Sequence, residues 1–555
     1  MNDNRAQIRA TLLAERELST DEYWAVAEAR LDWPLTEGLN LAHECCDRWA
    51  ADRGRIAISV HDPDGHVRRW TYYELMRAAS AMANALTATG LKRGDRVAGL
   101  LDQQIESYIA ALAVWRAGMV YVPLFVGFGT DAILERISSA DVAAVVVDHR
   151  YRDIYAKVQD GLANRPAVFT VAGPSGVGVH KGDASLWQEI AAASPEHEIV
   201  RTQPSDCATL IFTSGTTGKP KGCLHPHSLI LPLHSFLRHT AALTTEDLVF
   251  SGASPGWSYG LYAAGLGIQA LGISRVVYTG AFDAAAWLRV MNAERVTYVM
   301  TAPSAYRPLA ALAARVGIVD SVRGGLSAGE PLNSSLVKMW SSVGGGSLQD
   351  GYGSSEMGMV LANLAFDDRK VPAGALSSAV PGFDVLLVDE NGQPQADEGI
   401  IGVRNSRWPI LGYKDLDELW RAKTVNDVFL SGDLARRDSD GYYWFAGRSD
   451  DVIVTAGYNV GPAEVESIIA GIAGVKDVAV VAAPDESRGS VVRAVVVRDG
   501  TVDRASLSGR IQTLVKERLG RHAYPKIVDY VDELPRTEVG KIRRNVLREM
   551  QSAAR

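Results

Sequence analysis

The residues with the clearest chemical potential lie between Leu210 and Gly222, in the run LIFTSGTTGKPKG. An apolar, β-branched stretch from Leu210 to Thr213 empties into hydroxyls, glycines and two lysines. Such a loop suits a polyphosphate. Gly215 and Gly218 let backbone N–H groups approach, Thr213, Ser214, Thr216 and Thr217 offer hydroxyls, and Lys219 and Lys221 supply charge. An ordinary polar hairpin could have the same composition. A nucleotide P-loop could not, because it needs four residues between its first glycine and a Gly-Lys pair followed by Ser or Thr. Here two residues separate Gly215 from Gly218, and Pro220 follows Lys219.

Other candidates are scattered. Tyr352 sits between glycines and offers a flat face that a purine could stack on, although such a tyrosine also serves cores and turns. Glu356 is a carboxylate that could hold magnesium, which takes few protein carboxylates and completes its shell with phosphate oxygens. Alone it reads as a solvated surface charge. Asp433 can accept from a ribose diol and Arg448 can donate. Lys541 stands in a basic stretch, KIRRNVLRE, where it could be one lysine among several. His227, in HPH, could face a substrate pocket or be a satisfied structural histidine.

Elements able to position these groups follow from the patterning. Residues 5 to 50 read as helical, with Trp24, Leu31 and Trp33 set against a neighbouring surface. From about residue 55 short apolar runs alternate with amphipathic helices, as in RVAGLL (96–101), Glu106 to Arg116, and MVYVPL (119–124). That is the strand–helix–strand pattern of a parallel α/β sheet. Further strands are predicted at Val142–Asp148, Val276–Tyr278 and Tyr298–Thr301. Past residue 450 the texture changes: Val452–Thr455, a helix from Pro462, then VKDVAVVAAP and SVVRAVVVR describe a small α+β unit. The predicted division is 1–449 and 450–555, with the Asp-rich GRSDD (447–451) as the joint.

The chain of 555 residues is too long for one core. Its 47% hydrophobic and 22% charged residues are ordinary for a globular protein. A net charge of -8 speaks against a generic nucleic-acid binder. Cys45, Cys46, Cys207 and Cys223 lack metal-ligand spacing and read as free thiols of a reducing compartment. No signal peptide or membrane-length apolar run is present, so a cytoplasmic location and no membrane partner are expected.

The thirteen residues Leu210–Gly222 resemble the signature of the adenylate-forming superfamily: acyl-coenzyme A synthetases, luciferases and peptide-synthetase adenylation domains. SAGEPLN (327–333), DGYGSSE (350–356), SGD (431–433), GRSDD (447–451), AGYNVGPAEVE (456–466) and PRTEVGK (535–541) resemble that family's further motifs in order. The overall texture is similar to acetyl- and medium-chain acyl-coenzyme A synthetases. The resemblance implies an α/β fold: a large N-terminal domain of parallel-rich sheets sandwiched by helices, with internal subdomains, and a small mobile α+β C-terminal lid.

By the same resemblance, Gly329, Glu330 and Pro331 lie beside the adenine, and Asp350, Gly351, Tyr352, Gly353, Ser354 and Ser355 form the adenine-stacking motif. Ser355 stands where the family usually has Thr. Glu356 holds Mg2+, Asp433 and Arg448 take the ribose, and Asp450 is the hinge. Lys541 reaches between the carboxylate and the α-phosphate, where its charge lowers the barrier. After rotation of the lid, Ala456, Gly457 and Tyr458 replace it, and Gly457 admits the pantetheine arm of coenzyme A. Trp257 lines the same tunnel, and Arg488, Tyr524, Pro525 and Lys526 lie near the coenzyme's nucleotide. ATP and coenzyme A are the implied co-substrates.

Acetate-specific members carry a Trp where this sequence has Gly353. The resemblance therefore implies an open acyl pocket, an acid that is medium-chain, branched or aromatic, and a shift toward acetate or propionate in Gly353→Trp. Two other readings stay open. A stand-alone ligase could load an acyl or aryl group onto a separate carrier-protein thiol; the chain ends soon after Lys541, and PGWSYG lacks the Asp of amino-acid-activating members. A catalytically silent AMP-binding regulator would not need Lys541, Glu356 and Asp433 together. The spacing of Pro535, Gly540 and Lys541 resembles acetylation sites of bacterial members, which adds a lysine acetyltransferase and deacetylase as expected partners. A homodimer is among the oligomeric states left open.

Overall fold

The computed structural model describes residues 2–213, 220–329, 332, 334–367, 369, 371–404, 407, 410–448, 451, 453–455, 458–485, 489–519, 523–536 and 542–552. By internal contacts the chain forms two compact units, 1–384 with 404–424, and 385–403 with 425–555. The second unit thus takes in a sheet ahead of residue 450, whereas the patterning drew its line at 449/450.

The first unit is built on two large sheets. The predicted strand–helix–strand run appears as Arg96–Leu100, the helix Ile105–Arg116 and Val120–Leu124. Arg96–Leu100 pairs in parallel with both Val120–Leu124 and Val142–Asp148. Between the charged ends Arg96 and Asp148 these strands are apolar, as strands buried in a parallel sheet are. At one edge of this eight-stranded sheet the direction reverses. Cys207–Thr213 runs antiparallel to Lys221–Pro226, which is antiparallel in turn to Gly412–Tyr413. The candidate phosphate loop is therefore the connection of an edge hairpin, closed by the pair Thr213 and Lys221.

The nine-stranded sheet is parallel through its middle, from Ile56–His61 by way of Ser274–Tyr278, Leu248–Ser251, Tyr298–Met300 and Gly324–Ala328 to Ser347–Ser354. Ser347–Ser354 then turns back antiparallel into Gly358–Ala362. One face is packed by the helices Ala284–Glu294, Pro303–Val316 and Ser334–Ser342 around Phe250, Val299, Met291, Tyr306 and Trp340. Burying such large side chains supplies about 2–3 kcal/mol each.

The helices Asn2–Arg16 and Thr20–Glu28 open the chain. Ser19 and Glu22 form a reciprocal capping box that starts the second. Trp24 and Leu31 are buried, and half-buried Trp33 stacks on His43 at 3.9 Å between ring centroids.

In the second unit, Asp384–Val388, Glu398–Arg404, Val428–Arg437 and Thr424–Val425 form a sheet that Tyr443–Arg448 extends. After it come the helix Pro462–Ala470 and a three-stranded sheet of Val475–Asp485, Gly489–Arg498 and Ile527–Tyr530. Val465, Ile469, Val480, Val496, Leu507 and Ile511 fill its core, so the α+β character read from VKDVAVVAAP and SVVRAVVVR is present.

Candidate active site

Several expected site residues lie outside the described residues: Ser214, Gly215, Thr216, Thr217, Gly218, Lys219, Glu330, Pro331, Asp450, Ala456, Gly457, Arg488 and Lys541. What frames them is described. Thr213 and Lys221 face each other at the mouth of the loop, where the Thr213 hydroxyl donates to the Lys221 carbonyl at 3.5 Å. Gly329 follows the strand Gly324–Ala328 with φ +89°, a left-handed conformation open to glycine and costly for other residues.

The DGYGSSE segment forms the end of Ser347–Ser354 and the turn after it. Asp350 Oδ1 accepts from the Gly351 amide at 3.0 Å. Burial raises the Asp350 carboxyl to about 7, against the amides of Gly351 and Leu332, which pull it down. A Cβ on Gly351 would come within 2.7 Å of the Phe236 ring, so only glycine fits. The pairing slips by one residue between Tyr352 and Gly353, a bulge that turns the strand as it reaches half-buried Tyr352.

Gly353 requires a correction. A Cβ there would lie 2.0 Å from the Gly358 carbonyl oxygen and 2.7 Å from Met359 Cα. The space beside Gly353 is filled by the backbone of the returning strand, and it is not an open acyl pocket. Glycine is needed at this position to let the hairpin close. His227 takes the structural one of its two readings. It is fully buried, its Nδ1 accepts from the Leu41 amide at 3.1 Å, and burial lowers its pKa to about 3. It is a neutral structural histidine that anchors the helix Leu41–Cys45.

Glu356 sits in the turn after Ser354, with its amide donating to Ser354 Oγ at 3.2 Å. Its Oε1 accepts from the Tyr413 hydroxyl at 2.8 Å. Lys221 Nζ lies 5.7 Å from the centroid of the same tyrosine ring. The Ser355 carbonyl accepts from His225 Nε2 at 2.8 Å and from Cys223 Sγ at 3.2 Å. Burial, followed by the nearby Glu356 charge, pushes the Cys223 thiol well above its ordinary value, so it stays protonated as a donor. Burial lowers His225 to about 4, which keeps it neutral.

Patterning did not single out Tyr413, His225 or Cys223 for these roles. Tyr413 is 57 residues from Glu356, and nothing local in the sequence marks the pairing. The alternation of Lys221, Cys223 and His225 along one strand was the available signal, because residues at i, i+2 and i+4 share a face.

Trp257 packs against Phe125 and Phe128 with centroids 5.1 and 5.6 Å apart. In the second unit, buried Asp433 pairs across the strands with Arg448, and its amide donates to Ser431 Oγ at 3.0 Å. Tyr524 packs on the small core, Gln512 Nε2 donates to the Pro525 carbonyl at 3.1 Å, and Lys526 is paired with Asp485 at 2.7 Å. Tyr458 is described through its backbone, in the hairpin with Ile453–Thr455.

Among the described residues no three His, Cys, Asp or Glu cluster as a metal cage. A single oriented carboxylate suits magnesium, which usually keeps waters and phosphate oxygens as its other ligands. No described helix is long and apolar enough to cross a membrane.

The strand Lys221–Pro226, which follows the glycine-rich sequence, bonds to the turn that carries Glu356, and the comparisons with known proteins place the chain in the adenylate-forming class. The chain belongs to the AMP-binding enzyme family, whose model matches residues 46–413; the model of that family's C-terminal domain matches 464–541. It is 31% identical over 554 residues to a mitochondrial acyl-coenzyme A synthetase of Rattus norvegicus, covering 96% of this chain and 94% of that protein. The solved acyl-CoA synthetase of Brucella canis matches with TM-score 0.74 and 33% identity, over 96% of this chain and 97% of that one. A solved anthranilate CoA ligase bound to anthranoyl-AMP matches with TM-score 0.85 and 25% identity, over 94% and 99%.

Proposed function

We propose that the protein joins a carboxylic acid to coenzyme A through an acyl-adenylate, releasing pyrophosphate and then AMP. The observation that carries this reading is the adjacency of the Thr213–Lys221 hairpin mouth and the Ser355–Glu356 turn, joined by the bonds of His225 and Cys223 to the Ser355 carbonyl. Phosphates held in the loop would lie beside the carboxylate that suits their magnesium ion.

In the first step the acid's carboxylate oxygen bonds to the α-phosphorus and the bond to pyrophosphate breaks. Two anions approach one another, and positive charge at that point lowers the barrier. Lys541 is the residue assigned to it, with Lys219 and Lys221 on the leaving phosphates. Magnesium bound at Glu356 would neutralise charge on the phosphate oxygens. Tyr352 stacks the adenine, with the 329–331 segment alongside, and Asp433 and Arg448 take the ribose. In the second step the thiol of coenzyme A attacks the acyl carbonyl and AMP leaves. Trp257 and the 456–458 segment border its arm, and Tyr524, Pro525 and Lys526 with Arg488 lie toward its nucleotide. Asp450 is assigned as the pivot between the steps. Lys541 is also the residue whose acetylation would silence the first step.

The likeness to a CoA ligase solved in complex with anthranoyl-AMP supports an acid larger than acetate, either aliphatic or aromatic. A cytoplasmic location accords with this reading. The decisive assay is coenzyme A-dependent AMP release over acids from acetate to long aliphatic and aryl compounds. Release with none of them, alongside acid-dependent exchange of pyrophosphate into ATP, would transfer the reading to a carrier-protein thiol as acceptor. Absence of exchange as well would overturn adenylation.

A further inference from the structure

Side chains 221, 223 and 225 project from one face of the strand Lys221–Pro226. Cys223 and His225 reach the turn that carries Glu356, and Lys221 lies over the Tyr413 ring. His225 Nε2–H and Cys223 Sγ–H both donate to the Ser355 carbonyl, at 2.8 and 3.2 Å, occupying both of its lone pairs. That carbonyl and the Glu356 N–H belong to one peptide plane. The N–H end is held by Ser354 Oγ at 3.2 Å. The plane is thus fixed at both ends, and with it the Cα from which the Glu356 side chain departs. The far end of that side chain is fixed by the Tyr413 hydroxyl at 2.8 Å, and the Tyr413 ring lies beneath Lys221 Nζ at 5.7 Å. Lys221 begins the strand that carries His225, so the contacts close a ring.

The geometry points to His225 as a positioning residue of the adenylation step, which with Tyr413 fixes the distance between the phosphate-loop lysine Lys221 and the magnesium carboxylate Glu356. The inference rests on the adenylation reading above. His225 is 2% exposed and lies against Tyr262 with centroids 5.7 Å apart and planes 28° apart. Tyr262 lies parallel to Trp115, whose Nε1 donates to the Ala208 carbonyl at 2.9 Å on the partner strand of the hairpin. The imidazole is therefore held by a stack on one side and a single bond on the other. Its Nδ1 has no partner among the described residues, so Nε2 alone carries the contact. Such a residue touches no substrate. Its effect is to remove the reorganisation otherwise needed when magnesium and phosphates arrive together.

The test separates a donor from a filler. His225→Leu keeps an apolar side chain without a donor, and His225→Gln restores an N–H near the position of Nε2. Acid-dependent exchange of pyrophosphate into ATP is titrated with MgATP and with free Mg2+, and thioester formation is followed separately from synthetic acyl-adenylate. His225→Leu should raise both half-saturating concentrations about tenfold, the scale of one lost buried hydrogen bond. Thioester formation from the adenylate should be unchanged. His225→Gln should recover most of the loss. Tyr413→Phe should behave as His225→Leu does, and the double variant should lose less than the product of the single losses, because both act on one carboxylate.

Equal damage from Leu and Gln at 225, or unchanged magnesium saturation in both, would overturn the assignment. If neither 225 variant folds, Tyr413→Phe, which removes one oxygen atom, decides: unchanged magnesium saturation overturns the ring. A parent enzyme that shows no exchange with any acid overturns the adenylation reading itself, whereas an active parent with insensitive variants overturns only the role of His225.

Discussion

Tyr413 donates its hydroxyl hydrogen to Glu356 at 2.8 Å, bridging 57 residues of sequence and two different sheets. The carboxylate assigned to magnesium therefore has one oxygen already oriented by the protein. Glu356→Gln keeps an acceptor for Tyr413 and removes the charge. Acid-dependent pyrophosphate exchange should fall roughly a hundredfold, the scale for removing one electrostatic stabiliser of a developing charge. Magnesium titration of the variant checks this; unchanged saturation would place the metal elsewhere.

Gly353 faces backbone, 2.0 Å from the Gly358 carbonyl at the position a Cβ would take. Any side chain must push the returning strand Gly358–Ala362 away from Tyr352. Gly353→Ala should cost about 1–3 kcal/mol of stability, as overpacking does, and weaken ATP binding. Gly353→Trp should lose activity with every acid, without a gain toward acetate. A chain-length profile across the acid panel, with thermal unfolding of both variants, distinguishes this from a pocket-lining role.

Lys541 is assigned from sequence to the first half-reaction alone. Lys541→Ala should reduce adenylation by about two to three orders of magnitude, while thioester formation from synthetic acyl-adenylate stays within about twofold. Equal loss in both steps would make the lysine a general structural or binding residue.

Glu15 clamps the N-terminal helix to the first unit. It pairs with Arg30, with Arg238 at 3.2 Å and with His239 at 3.2 Å. Burial alone would raise its carboxyl, but His239, Arg238 and Arg30 outweigh burial and hold it at about 2, down from 4.5. A depressed carboxyl contributes stability that is complete above its unfolded value and is lost as pH falls through the folded one. Stability should therefore decline between about pH 4.5 and 2 in the parent more steeply than in Glu15→Gln. At neutral pH the variant should be less stable by about 2–3 kcal/mol, since the half-buried guanidiniums of Arg30 and Arg238 lose their partner. Denaturant unfolding across that range measures both.

The phosphate loop, the DGYGSSE segment, SGD and the terminal lysine are legible in the sequence because their chemistry is local: a few glycines, hydroxyls and charges at fixed spacing. The same holds for the alternation of strands and helices and for the α+β texture after residue 450, since periodicity reports which face is buried. The sequence by itself thus determined the family and the reaction class, and it named the candidate site residues. It did not determine what surrounds those residues. Gly353 looked like an opening because a missing side chain was taken for space, and only the pairing of two strands places the Gly358 carbonyl there. Tyr413 and His225 gained their roles from an edge hairpin of one sheet packing beside a turn of another, a long-range contact that sequence spacing does not encode. Tertiary structure decided which side chains hold Glu356 still, because that requires donors from two separate strands, Lys221–Pro226 and Gly412–Tyr413, to converge on one turn.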